Sequence, residues 1–153
     1  MTLVRASTQA GYSLVEVMVV LAVVALLAGA AALTLPSGTP AAQRAADRLA
    51  LDLMRAERAA ITSGDFIGLT VTGEGYAFTR YDGEAWQSGE PGGLRPVRLG
   101  DEVRLLTDAE GAPAYWFDPT GVNGEARFVL DDGEHRVAVA FANGAVRIEG
   151  EGA

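Results

Sequence analysis

The 153-residue sequence contains no cysteine. That excludes a disulfide framework, a thiolate metal site and a thiol nucleophile. It contains no lysine either, so all 12 basic residues are arginine. One histidine, His135, stands alone in Asp131-Asp132-Gly133-Glu134-His135. A single imidazole without further nitrogen or sulfur ligands makes a poor transition-metal site, and a solvated turn is the simpler reading. No Gly-x-Ser-x-Gly elbow, Walker loop or dinucleotide fingerprint occurs. Gly73-Glu74-Gly75 reads as a turn. Asp118, Asn123 and Glu125 are oxygen-bearing, but their spacing is not that of an EF-hand; Asp118-Pro119-Thr120-Gly121 reads as a β-turn. Trp86, Tyr115 and Trp116 read as packing residues rather than a ligand box. The expectation is no enzyme, no cofactor and no metal.

Charge is missing from one stretch. Before residue 41 the only acidic residue is Glu16 and the only basic one Arg5. The whole formal charge of −8 therefore belongs to the remainder. Such a balance repels phosphate backbones, so nucleic acid is not an expected partner. From Val17 to Leu33 no side chain is polar. A helix of about 20 residues spans the roughly 30 Å of a bilayer core. The run is apolar on every face, whereas a core helix buried on all sides needs a larger protein around it. Arg5 ahead of the run, with no basic residue until Arg44, places residues 1–11 in the cytoplasm by the positive-inside rule.

On these grounds three readings stand: a cleaved secretory signal with a small-residue site around Ala28–Ala32, a plain signal anchor, and a pilin-like precursor. Glu16 decides among them. A carboxylate costs about 2.5–3.5 kcal/mol at the centre of a membrane helix, so it calls for a partner. A cut after Gly11 would create an amine on Tyr12, one helical turn before Glu16. In a filament that amine could meet the Glu16 carboxylate of a neighbour and set the register.

The segment Gly11-Tyr12-Ser13-Leu14-Val15-Glu16, followed by the apolar run, resembles the class III signal of type IV prepilins and pseudopilins. Tyr12 stands where phenylalanine is more common. Where many major pilins carry a helix-kinking proline, this chain has Leu33. The resemblance implies that a prepilin peptidase cleaves after Gly11 and N-methylates Tyr12, that Glu16 serves assembly, and that other pseudopilins in a filament are the partners. It implies a single-pass inner-membrane protein with its C-terminal part in the periplasm, later packed into a periplasmic filament.

Pro36-Ser37-Gly38-Thr39-Pro40 is a breaker cluster, read as the end or a bend of the first helix. A second helix is expected beyond Pro40. Ala42, Ala46, Leu49, Leu53, Ala56 and Ala60 mark one apolar face. Arg48 and Asp52 are spaced to pair. Ser63-Gly64 ends the helix. Strands are expected at Phe66–Thr72, Gly75–Tyr81, Val103–Leu106, Ala114–Phe117, Ala126–Leu130, Arg136–Ala142 and Ala145–Glu149, with a loop over Trp86–Pro96. Asn143-Gly144 is a hairpin signal.

The fold expected is α+β and pilin-like: a long N-terminal helix, transmembrane in its first half, packed on an antiparallel β-sheet domain. Its divisions are a cleaved leader at 1–11, a transmembrane and filament-core helix at 12–35, a breaker and amphipathic helix at 36–64, and a periplasmic β-rich domain at 65–153. Asp47–Thr62, Phe117-Asp118-Pro119-Thr120-Gly121 with Gly124, and the terminal hairpin with Gly144 are similar to elements of the GspH/FimT family. Glu57-Arg58 departs from that family's helix spacing. The resemblance implies a minor pseudopilin of a type II secretion pseudopilus. Its alternatives are a FimT-like minor pilin of a type IV pilus or DNA-uptake machine, and a signal-anchored periplasmic binding module.

Overall fold

The computed structural model describes residues 14–34, 39–109 and 111–151, without the side chains of 31–34 and 151. The chain divides into two units, 1–38 and 39–153. The first holds helix α1 (Leu14–Thr34), with Glu16 in its first turn. Its apolar residues follow no 3.6-residue period, so no face is favoured for burial. Large side chains are exposed along its length, from Leu14 (79 %) to Leu27 (66 %). Among the described residues no helix is long and apolar enough to cross a membrane. The breaker cluster expected at 36–40 falls mostly outside the described residues.

The second unit begins with helix α2 (Ala41–Ser63). Pro40 precedes its first residue, a position where a missing N–H costs nothing. Gly64 ends it at φ +76°, and its N–H donates to the Ala60 carbonyl. A left-handed residue there is available to glycine without a Cβ clash. The apolar face expected from the spacing is the buried one: Ala42, Ala46, Leu49, Leu53, Ala56 and Ala60 are all fully buried. Four of these six are alanine, so the helix backbone can approach the sheets closely.

Two antiparallel sheets receive that face. The first contains β1 (Ile67–Thr72), β2 (Gly75–Tyr81), β3 (Trp86–Ser88), β4 (Val97–Arg98) and β6 (Tyr115–Phe117), in the order β3-β2-β1-β6 with β4 also on β2. The second contains β5 (Arg104–Thr107), β7 (Ala126–Asp131), β8 (Arg136–Ala142) and β9 (Ala145–Glu151), in the order β5-β7-β8-β9. Helix α2 contacts strands of both sheets, chiefly β8 and β9. Alternation sets which residues point inward: Phe128 and Leu130 on β7, Val137, Val139 and Phe141 on β8. Tyr115, Phe117, Phe128 and Phe141 form an aromatic cluster where the sheets meet, with Tyr115 and Phe117 centroids 5.0 Å apart and Phe117 and Phe141 5.3 Å apart, both near edge-on. Asn143 and Gly144 adopt positive φ (51° and 72°) in the β8–β9 turn, as a tight hairpin requires.

Two expectations need correction. The stretch Trp86–Pro96, read as loop, contains β3 and a short 3-10 turn at Pro91–Gly93. Three residues are too few to show alternation, and the pairing is completed by Trp86 packing on Tyr81 at 5.3 Å between centroids. Trp116, read as a packing residue, is 55 % exposed. It alternates with buried Tyr115 and Phe117 on β6, so the pleat turns it outward.

Candidate functional site

The residues expected to carry processing and assembly sit at the N-terminus. Gly11 and Tyr12 lie outside the described residues. Glu16 is exposed in the first turn of α1, where a carboxylate is favoured by the helix dipole. Around it, Leu14, Val15, Val17 and Met18 are exposed as well.

On the second unit, polar side chains lock helix to sheets at three places. The first is Asp52, a carboxylate only 7 % exposed. It accepts a hydrogen bond from the Tyr76 hydroxyl at 2.9 Å and lies 3.3 Å from the Arg55 guanidinium. The expected Arg48 partner stands at 3.9 Å. Burial, then the neighbouring Asp52 charge, pushes the Tyr76 hydroxyl far up from its ordinary value, so it acts as a donor only.

The second place is the turn Phe117–Gly124. The Gly121 N–H donates to the Asp118 carbonyl at 3.0 Å, which makes 118–121 the expected β-turn. The Asp118 carboxylate accepts from the Thr120 hydroxyl at 2.6 Å and its N–H at 2.7 Å. These hydrogen bonds hold its carboxyl below the ordinary value. Asn123 accepts from the Asp118 N–H at 2.8 Å and donates to Glu57 on α2 at 3.0 Å. Tyr115 donates to the Gly124 carbonyl at 2.7 Å. Burial, then Glu57, pushes the Tyr115 hydroxyl up to about 12. Glu57, which departs from the family spacing, is thus the residue that ties the turn to the helix.

The third place is Asp132. Its carboxylate accepts from the Ala42 N–H at 3.0 Å, so it caps α2 from 90 residues away. It also accepts from the His135 N–H at 2.7 Å and the Glu134 N–H at 3.1 Å. His135 is exposed in this turn, its Nδ1 3.4 Å from Asp132. The sequence spacing had pointed to none of the contacts Asp52–Tyr76, Glu57–Asn123 or Asp132–Ala42. Among the described residues no cluster of three or more acidic or histidine side chains could hold a metal ion. Asp118 and Asn123 meet in the turn, where the Asp118 carboxylate is engaged by Thr120 and the Asn123 amide by the Asp118 N–H and Glu57.

These contacts join α2 to the two sheets. Residues 6–32 match the prokaryotic N-terminal methylation motif. Residues 45–145 match the model of the type II transport protein GspH. The chain belongs to the GspH family. As a member it is a minor pseudopilin of type II secretion. Two solved structures of the minor pseudopilin EpsH from the type II secretion system of Vibrio cholerae are similar to it. One has 18 % identity and a TM-score of 0.62 over 72 % of this chain and 98 % of that one. The other has 19 % identity and a TM-score of 0.55 over 74 % and 96 %. At such identity the likeness shows the fold. No curated protein matches the chain. The family model covers α2 from Ala45, strands β1 to β8 and the Phe117–Gly124 turn, so the Asp52–Tyr76 and Glu57–Asn123 locks lie within the GspH region, whereas Ala42 and all of β9 beyond Ala145 lie outside it.

Proposed function

We propose that this GspH-family chain is made as a membrane precursor, cut after Gly11 by a prepilin peptidase and N-methylated on Tyr12. The apolar run Val17–Leu33 then anchors it in the inner membrane with residues 39–153 in the periplasm. On assembly the same helix leaves the bilayer and packs into the pseudopilus core among other pseudopilins. Glu16 pairs with the Tyr12 amine of a neighbour, which offsets the cost of a carboxylate in an apolar setting and fixes the axial register. The role is structural and requires no catalytic group.

One observation carries this reading. Helix α1 presents large apolar side chains around its whole circumference, exposed, with a single carboxylate in the first turn. Such a surface needs an apolar environment supplied from outside the chain. The surroundings that supply one on all sides are a bilayer and a bundle of like helices.

Mass spectrometry of the protein from its native host, beside a Gly11→Ala variant, tests it. The expected mature chain starts at an N-methylated Tyr12, and the variant stays uncut. An intact Met1, or a cut near Ala28–Ala32, sinks the filament reading.

A further inference from the structure

A groove of about 630 Å³ runs along α2 beneath the Pro91–Gly93 turn. Its lining concentrates positive charge in a chain whose formal charge is −8. Arg48, Arg55 and Arg58 come from the helix and Arg95 from the segment after the turn, with Asp52 as the single acidic lining residue. The spacing of 48, 55 and 58 puts the three helix arginines on neighbouring positions of one face.

The groove is built, not incidental. Gly92 sits at φ +62°, and a Cβ there would stand 2.5 Å from the Ala59 Cβ. The turn can approach the helix this closely because both positions are small. Leu94 is buried and fastens the turn to the core. One wall is therefore fixed backbone and the other is a helix face.

The arginines keep donors to spare. Asp52 engages Arg55 through one guanidinium nitrogen at 3.3 Å and has Arg48 at 3.9 Å, while both arginine side chains remain 61 % exposed. Arg95 lies 3.7 Å from Glu90, an exposed pair that competes weakly with an incoming anion. Arg58 has no ion-pair partner among the described residues. A guanidinium carries five N–H donors in a planar fork that fits a carboxylate through two parallel hydrogen bonds. Asp52, bonded to buried Tyr76, holds the helix arginines over the groove without neutralising it.

We propose that this groove docks a carboxylate-bearing peptide segment of a neighbouring protein subunit. A groove lined by several guanidinium forks accepts an extended strand carrying acidic side chains. A nucleic acid duplex presents phosphates over a broad surface and would meet the acidic remainder of the domain. Complementary charge of this kind selects the partner and its register more than it adds raw affinity. That the partner is a pseudopilin rests on the proposed function; the preference for carboxylates does not.

The test uses the full chain in detergent and a fluorescein-labelled octaglutamate peptide, read by fluorescence anisotropy. A same-length polyserine peptide and a 20-base-pair DNA duplex serve as comparisons. Octaglutamate is expected to bind and polyserine not to. The double variant Arg58→Glu/Arg95→Glu is expected to weaken octaglutamate binding by about tenfold or more. The double variant Arg104→Glu/Arg147→Glu, on β5 and β9 outside the groove and equal in charge change, should alter it less than about twofold. An equal loss in that variant overturns the proposal, because net charge alone would then explain binding. Tighter binding of the duplex with the same dependence on Arg58 and Arg95 overturns it in favour of nucleic acid. No octaglutamate binding by the parent chain overturns it outright. None of these outcomes bears on where the N-terminus is cut.

Discussion

Helices α1 and α2 are similar in length, 21 and 23 residues, and opposite in surface. Helix α1 has apolar side chains all round and exposes them. Helix α2 buries one alanine- and leucine-rich face under the two sheets and carries arginines, with exposed Leu51, Met54 and Ile61, on the rest of its surface. The difference separates two sources of burial. For α2 the chain supplies its own partner surface, so the stability of residues 39–153 depends on α2. Helix α1 leaves its large side chains exposed, and under the function proposed above a bilayer or neighbouring subunits cover them.

The sharpest way to break this contrast is to truncate one leucine on each helix. Leu53 is fully buried on α2. Leu53→Ala should cost about 2–5 kcal/mol of unfolding free energy, transfer plus cavity. Leu21 is 62 % exposed on α1. Leu21→Ala should leave the unfolding free energy of the sheet domain within about 0.5 kcal/mol of the parent. Urea denaturation in detergent, followed by the fluorescence of Trp86 and Trp116, measures both. Equal losses in the two variants would mean that α1 belongs to the same cooperative unit, and the separation drawn here would fail.

What was legible beforehand follows the same divide. The apolar face of α2 was readable because its period of 3 and 4 is local, and so were the β1–β2 and β8–β9 hairpins, whose turns are two residues long. Glu16 was singled out because a charge beside an apolar run is conspicuous. The locks were not legible. Asp52 was visible as a partner for Arg48, but its tighter bond goes to Tyr76, 24 residues on. Glu57 and Asn123 are separated by 66 residues, and neither breaks a pattern around it. Trp116 was misplaced because a three-residue strand gives no phase from which to tell the inward face. Local periodicity reports which face is buried, while polar contacts between distant elements leave no periodic trace.

The Asp52–Tyr76 bond sharpens the account of how α2 is held. Asp52→Ala leaves a buried hydroxyl without its acceptor, which should cost about 1–3 kcal/mol. Adding Tyr76→Phe removes that orphaned hydroxyl, so the double variant should be less destabilised than the sum of the two single ones. Simple additivity in the denaturation series would show that the two side chains act independently, against the geometry.

The smallest effect concerns where α2 begins. The N–H groups of Ala42, then of His135, draw the Asp132 carboxyl down from its ordinary 3.8 to about 2, with partial desolvation opposing them. A folded-state value below the unfolded one means that Asp132 stabilises the fold fully above the ordinary carboxylate value. That contribution fades as the pH falls from about 4 towards 2. Protonation then removes the charge that caps the helix. Neighbouring Asp131, also held low by the Gly133 N–H and Arg136, titrates in the same direction, so the parent chain should lose stability in this window through both. Asp132→Asn keeps an oxygen for the Ala42 N–H and discards the titration. It should melt a few degrees lower at neutral pH, a shift of about the size expected for a weakened helix cap. Between pH 4 and 2 its melting temperature should fall less steeply than the parent's. Identical slopes for the two proteins would show that the hairpin turn between β7 and β8 holds the start of α2 by shape alone.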